Sequence, residues 1–142
     1  MINTGTLNFA QAGQQAHHWV NEIAEELGWP ERRAYRLLRS VLHALRDWLT
    51  PEEMADLSAQ LPVLIRGIYF EGWKGLDHAA EKRTKEDFVR RIEADFAADR
   101  VNDSDAAITA VFSLLDRHIS EGEIAQVRHS MKKALRRLWP VH

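Results

Sequence analysis

The chain has 142 residues, with 19 Lys and Arg opposing 21 Asp and Glu for a formal net charge of −2, and it contains no cysteine. That length can bury about 70% of the unfolded surface without staples, and the missing thiols exclude disulfides, zinc–thiolate sites and cysteine nucleophiles from this sequence. The near-neutral balance gives no bulk attraction to polyanions, residues 61–65 form too short an apolar run to span a membrane, and residues 1–6 lack the basic and apolar regions of a secretory signal, so a soluble cytoplasmic protein is expected.

Apolar residues recur at spacings of three and four with no sustained alternation, which predicts an all-helical chain. A loose tail is expected before about Gly13. The first helix places Ala16, Trp19, Val20, Ile23, Ala24 and Leu27 on one stripe, and Gly28-Trp29-Pro30 stops it and starts the next. The second runs from about Glu31 to Trp48 with Ala34, Leu37, Leu38, Val41, Leu42 and Leu45 inward. The third opens on Thr50-Pro51-Glu52-Glu53, a capping box with proline at the first helical position and with Leu49 and Met54 placed as a hydrophobic staple. Pro62 should kink or end that helix about three turns in, because proline removes a backbone donor.

Residues 72–85 are rich in glycine and charge and read as a surface connection. Thr84 offers a cap for a helix carrying Phe88, Ile92 and Phe96, and the cluster at 102–105 caps the one after it. Ser120-Glu121-Gly122-Glu123 then repeats the capping device of residues 50–53 without its proline. Lys132 stands where Pro62 stood, so the last helix is expected to run straighter than the third.

These correspondences belong to a longer one. Val41, Leu42, Leu45, Leu49, Met54, Leu57, Leu61, Leu64, Ile65, Ile68 and Tyr69 recur as Val111, Phe112, Leu115, Ile119, Ile124, Val127, Met131, Ala134, Leu135, Leu138 and Trp139, each displaced by about seventy residues. Trp19, Val20, Ile23 and Leu27 match Phe88, Val89, Ile92 and Phe96 one residue closer. The expected fold is therefore an all-α six-helix bundle of two similar three-helix repeats. It forms a single domain over residues 1–142, with repeat one at about 14–73, a connection at 74–83 and repeat two at about 84–140.

The motifs Leu49-Thr50-Pro51-Glu52-Glu53, Gln60-Leu61-Pro62, Tyr69-Phe70-Glu71-Gly72-Trp73, His118-Ile119-Ser120-Glu121-Gly122-Glu123 and Leu138-Trp139-Pro140, in this order, resemble the bacterial domain-of-unknown-function family numbered 2267. The resemblance covers roughly residues 13–140 and implies an all-helical, internally duplicated domain. It brings no activity, substrate or catalytic residue.

His18/Glu22 and His43/Asp47 sit one helical turn apart and could supply metal ligands from two helices. The second half offers Ser113 and Arg117 in place of His43 and Asp47 and completes no four-ligand set, so solvated or core-edge histidines are expected and no metal. Gly67 to Lys74 has two glycines at P-loop spacing, but Trp73 intervenes before the lysine and a helix precedes. Tyr69, Phe70 and Trp73 cannot all face one stripe, since successive helical residues turn by about 100°. They cover the junction between the halves or, as the second choice, contact a groove or partner.

Residues 124–142 carry Arg128, Lys132, Lys133, Arg136 and Arg137 and no acid. On one helix these would form two adjacent rows able to track phosphates, although cations also suit a helix C-terminus and a solvated face. The expected function is a non-catalytic interaction or regulatory module with an unidentified protein partner. The alternative is a nucleic-acid-associated regulator using the basic terminal helix, and an enzyme stands third because no set of base, nucleophile and oxyanion donors can be named. No catalytic residue, cofactor or membrane contact is expected, and the chain is read as a monomer or homodimer.

Overall fold

The computed structural model describes residues 8–75 and 84–141. Within them the chain forms eight helices and no strand: α1 (Phe9–Leu27), α2 (Glu31–Trp48), α3 (Pro51–Gln60), α4 (Val63–Phe70), α5 (Lys85–Ala94), α6 (Ser104–His118), α7 (Glu121–His129) and α8 (Lys133–Arg136). The all-helical expectation holds over the described residues, and the six-helix count is corrected to eight. Most of the expected connection at 74–83 lies outside the described residues, as do residues 1–7.

The α1 start also differs from the sequence reading. The Asn8 side chain accepts from the Gln11 N–H at 3.1 Å and caps the helix at Phe9, so residues 9–13 are helical and not a loose tail. At the other end Gly28 takes φ 67°, and the Trp29 N–H reaches the Ala24 carbonyl at 3.0 Å. That is a left-handed stop which glycine enters without the Cβ penalty.

The two extra helices come from two bends, one in each half. Pro62 (φ −57°, ψ 153°) separates α3 from α4, as its missing donor requires. Lys132 (φ −67°, ψ 153°) separates α7 from α8, which overturns the expectation of a straighter second copy. The turn bonds at the bends match: Leu61 N to Ser58 O (3.2 Å) and Arg66 N to Pro62 O (2.7 Å) in one, Met131 N to Arg128 O (3.1 Å) and Arg136 N to Lys132 O (3.0 Å) in the other. No proline dictates the second bend. There Ser130 competes for the helix's own acceptors, its hydroxyl donating to the Val127 carbonyl at 2.7 Å. Trp139 also gains a core position beyond the bend, stacked on Phe112 at 4.1 Å between centroids with its indole N–H directed at the Met131 sulfur.

The helix α2 is central and packs against α1, α3, α4, α5 and α6. Ten of its residues are buried, including Leu37, Leu38, Val41, Leu42 and Leu45, and α6 buries Ile108, Val111, Phe112, Leu114 and Leu115 against the same core. One continuous cluster of buried side chains runs from Trp19 through these helices to Trp139. Trp48 meets Phe88 edge to face at 5.4 Å and Phe88 meets Phe112 at 6.0 Å, so rings from early and late helices share that cluster.

Candidate functional site

Where the sequence suggested metal pairs, the structure divides the partners among other tasks. His43 Nε2 donates to the Ile68 carbonyl at 2.8 Å near the end of α4. Burial, reinforced by the neighbouring Arg46 and Arg39 charges, outweighs the bond to the Ile68 carbonyl and holds its pKa below the ordinary imidazole value. Asp47 lies between two arginines: Arg46 Nε reaches Oδ1 at 3.0 Å, and Arg91 Nη2 on α5 reaches Oδ2 at 2.6 Å. Burial pushes the Asp47 carboxyl upward, but the bonds from Arg46 and Arg91 outweigh it and hold the group below the usual carboxylate range.

Arg46 itself is only 5% exposed, and its Nη1 donates to the Tyr69 and Glu71 carbonyls at 3.0 and 2.9 Å. These are otherwise unpaired acceptors at the end of α4. The trio therefore caps α4 and fastens it to α5.

Glu22 is the hub of a second tie, between α1 and α6. Arg117 Nε donates to its Oε1 at 3.0 Å, His118 Nε2 to its Oε2 at 2.6 Å, and the His18 Nε2 stands 3.3 Å from Oε2. Burial raises the Glu22 carboxyl, and the His118 and Arg117 bonds more than reverse it. The His118 ring stacks on Trp19 at 4.8 Å. A third tie joins the start of α2 to the segment after α5. Arg33 and Arg36 both bond Asp99, Arg33 also takes the Asp99 and Arg100 carbonyls, and Ser40 donates to Asp95 at 2.6 Å. The Arg33 guanidinium lies over the Trp29 ring at 4.1 Å. The ties from Arg91 to Asp47, Arg117 and His118 to Glu22, and Arg33 and Arg36 to Asp99 join residues far apart in the chain, and local periodicity does not signal them.

The aromatic trio divides. Tyr69 is fully buried, its hydroxyl donates to the Met54 carbonyl at 3.1 Å, and burial drives its phenol pKa upward. Phe70 is half-buried and Trp73 is 40% exposed, so of the three only these two reach the surface, their rings 5.8 Å apart.

The basic segment is no longer one helix. The bend at 130–132 breaks the i, i+4, i+8 row of Arg128, Lys132 and Arg136, placing Arg128 on α7, Lys132 at the cap of α8 and Arg136 at its end. Lys132, Lys133 and Arg137 are exposed, and Arg128 and Arg136 are half-buried. Among the described residues none of the five forms an ion pair with a carboxylate, and the Nε–H groups of Arg128 and Arg136 are shielded from solvent without an acceptor.

This is a helical protein in which long-range arginine–carboxylate ties fasten short helices around a continuous apolar core. The chain belongs to the family described as "Uncharacterized conserved protein (DUF2267)", whose family model matches residues 16–138. Comparison with curated proteins gives no match. No helix among the described residues is long and apolar enough to cross a membrane.

Proposed function

We propose that the chain is a non-catalytic interaction module. The observation that carries this reading is the employment of six sheltered or half-sheltered ionisable groups, although atoms of Glu123, Arg128 and Arg136 lack a partner among the described residues. Arg46, Asp47, Arg91, Glu22, His118 and His43 are all bonded across helix contacts or at helix ends. A group that must take up or release a proton during a reaction needs freedom that such a tie removes. The outer surface then carries the recognition, and the Phe70–Trp73 edge suits a protein partner because aromatic anchors dominate protein contacts.

We infer further that residues 1–142 act as one domain made by duplication, α1–α4 and α5–α8 being its two copies, and that it works in the cytoplasm. The matched bends at Pro62 and Lys132 and the shared core support that reading.

A second reading, contact with nucleic acid, is favoured by the unused cations. Arg33, Arg36, Arg39, Arg46, Lys85, Arg90, Arg91 and Arg117 each face a carboxylate, whereas Arg128, Lys132, Lys133, Arg136 and Arg137, like the scattered Arg32, Arg66, Lys74 and Arg100, face none among the described residues. Capture from native cytosol with the wild type and Trp73→Ala, alongside a salt-titrated shift assay on DNA and RNA, separates the two. The module reading expects a stoichiometric protein retained by the wild type and lost from the variant. Tight nucleic-acid binding with a steep salt dependence, unaffected by Trp73→Ala, would replace it with the second reading.

A further inference from the structure

The outer face of α4 differs from its counterpart in the second half. Its eight residues, Val63 to Phe70, include one charge, Arg66, and that guanidinium turns to the end of α3, donating to the Ser58 and Leu61 carbonyls at 2.8 Å. Ile65 and Tyr69 face the core and are fully buried. On the other side Val63, Gly67 and Phe70 follow one another at i, i+4 and i+7, with Leu64 in the adjacent row. Val63 and Leu64 are 43% and 42% exposed, and the half-buried Phe70 extends the surface to Trp73 through their ring contact.

The matching positions of the second half show what the fold requires there. Leu135 and Trp139 are buried as Ile65 and Tyr69 are, whereas Lys133, Ala134 and Arg137 stand exposed in place of Val63, Leu64 and Gly67. The fold therefore accepts charge on this face, and a helix that is apolar on both sides belongs against a second surface.

Two features select a second copy of the chain as that surface. The first is shape. Gly67 lies at the centre of the exposed face, and a Cβ built there meets nothing within 4 Å. It leaves a notch between Val63 and Leu64 on one side and Phe70 on the other, so an antiparallel copy crossing at Gly67 brings each Phe70 to the Val63 and Leu64 end of the other, twice over by the two-fold. The second is charge. The start of α4 has no side-chain cap and no acid in its first turn, so nothing on the helix complements the positive end of its dipole. The same two-fold carries the exposed Glu71, just beyond the end of one α4, to the start of the other. A lipid surface calls for a cationic rim, and here the neighbouring Arg39 is neutralised by Glu71.

We propose that the chain pairs with a second copy of itself through the outer face of α4, with Val63, Leu64, Gly67 and Phe70 forming the contact and Trp73 its edge. The proposal rests on the reading of the Phe70–Trp73 edge as a protein-binding surface and names the partner. Five residues a side fall well short of the roughly 20–30 of a standard interface, so the pairing is weak and reversible.

The test is sedimentation equilibrium of the full chain up to about 1 mM, with thermal unfolding of dilute samples. Variants are Leu64→Lys, Gly67→Gln and Trp73→Ala, with Arg137→Gln as a control at the place matching Gly67. The wild type should pass from one chain to two as concentration rises. Association should weaken about tenfold or more in Leu64→Lys and Gly67→Gln, less in Trp73→Ala, and hardly at all in Arg137→Gln. Dilute Gly67→Gln should unfold at the wild-type temperature or above, since it replaces a helical glycine at an open position. Its loss of pairing is then no loss of folding.

A wild type that stays a single chain to about 1 mM, or pairing indifferent to Leu64→Lys and Gly67→Gln, would overturn the proposal. So would a single chain that retains a foreign protein from cytosol, or binds phosphatidylcholine–phosphatidylserine vesicles, in a manner lost with Leu64→Lys. The first of these keeps the protein-binding reading of the edge, and the second removes it. Neither self-association nor capture would remove both.

Discussion

Single residues in this protein are best understood by what holds their charge in place. Asp47 balances the nearly buried Arg46 and also Arg91, so Asp47→Ala should leave a sheltered guanidinium uncompensated and cost about 3–5 kcal/mol in denaturant titration. A loss below experimental error would mean that water replaces the carboxylate without penalty. Because the folded pKa of Asp47 and of Glu22 is depressed below 3.8 and 4.5 respectively, their contribution is present above those values and disappears as pH falls through the folded pKa.

Glu123 works in the opposite sense. Burial, helped by the charges of Asp56 and Glu53, raises its carboxyl, and its Oε2 has no partner among the described residues. Its stabilising effect is complete below the unfolded value of 4.5 and is lost as pH rises through the folded pKa. Glu123→Gln should therefore be more stable than the wild type at pH 7, with the advantage shrinking below pH 4.5. Equal stability at both pH values would contradict the strain assigned to this carboxylate.

At the scale of elements the two capping devices differ. Thr50 and Glu53 form the reciprocal box, Glu53 N to Thr50 Oγ1 at 3.3 Å and Thr50 N to Glu53 Oε1 at 3.1 Å. At the second device only the Glu123 N to Ser120 Oγ bond forms, at 3.3 Å, and the Ser120 N–H goes to Gln60 Oε1 at 3.2 Å. The sequence expectation of a repeated whole box is corrected to half a box plus a tie from α3. Thr50→Ala and Ser120→Ala should each cost about 0.5–2 kcal/mol by chemical denaturation, and no change at either would show that these caps do not carry the helix starts.

The starts of α3, α5 and α6 were legible because caps are local, Thr84 accepting from Asp87 N and Asp103 from Ala106 N as their spacing requires, whereas the Asn8 cap of α1 was missed. The second bend was not legible, since nothing in the run Lys132 to Arg137 opposes a helix, and the Ser130 hydroxyl bond and the core position of Trp139 that accompany it are not local sequence signals. Lys132 already has φ −67°, and its N–H donates to no described group. Lys132→Pro should therefore leave the fold intact and raise stability by about 0.4–1 kcal/mol through a stiffer unfolded chain. A loss of stability would mean that the bend needs that N–H or a different φ.

For the whole molecule, the apolar stripes foretold most of the buried residues, with Ala16, Ala24 and Leu27 only partly covered and Leu64 exposed, but not which helices meet, because a stripe states that a face is covered and not by what. The ties from Arg91 to Asp47, Arg117 to Glu22, and Arg33 and Arg36 to Asp99 all join α1 or α2 to α5, α6 or the segment between them. The same early and late helices share the core cluster. A three- or four-helix half is marginal on burial alone, so both halves should melt together. Scanning calorimetry of the wild type and Asp47→Ala is the most direct measure of that unity. It should give one transition whose van't Hoff and calorimetric enthalpies agree, moved to lower temperature as a unit by the substitution. Two transitions, or a shift confined to part of the heat absorption, would contradict it.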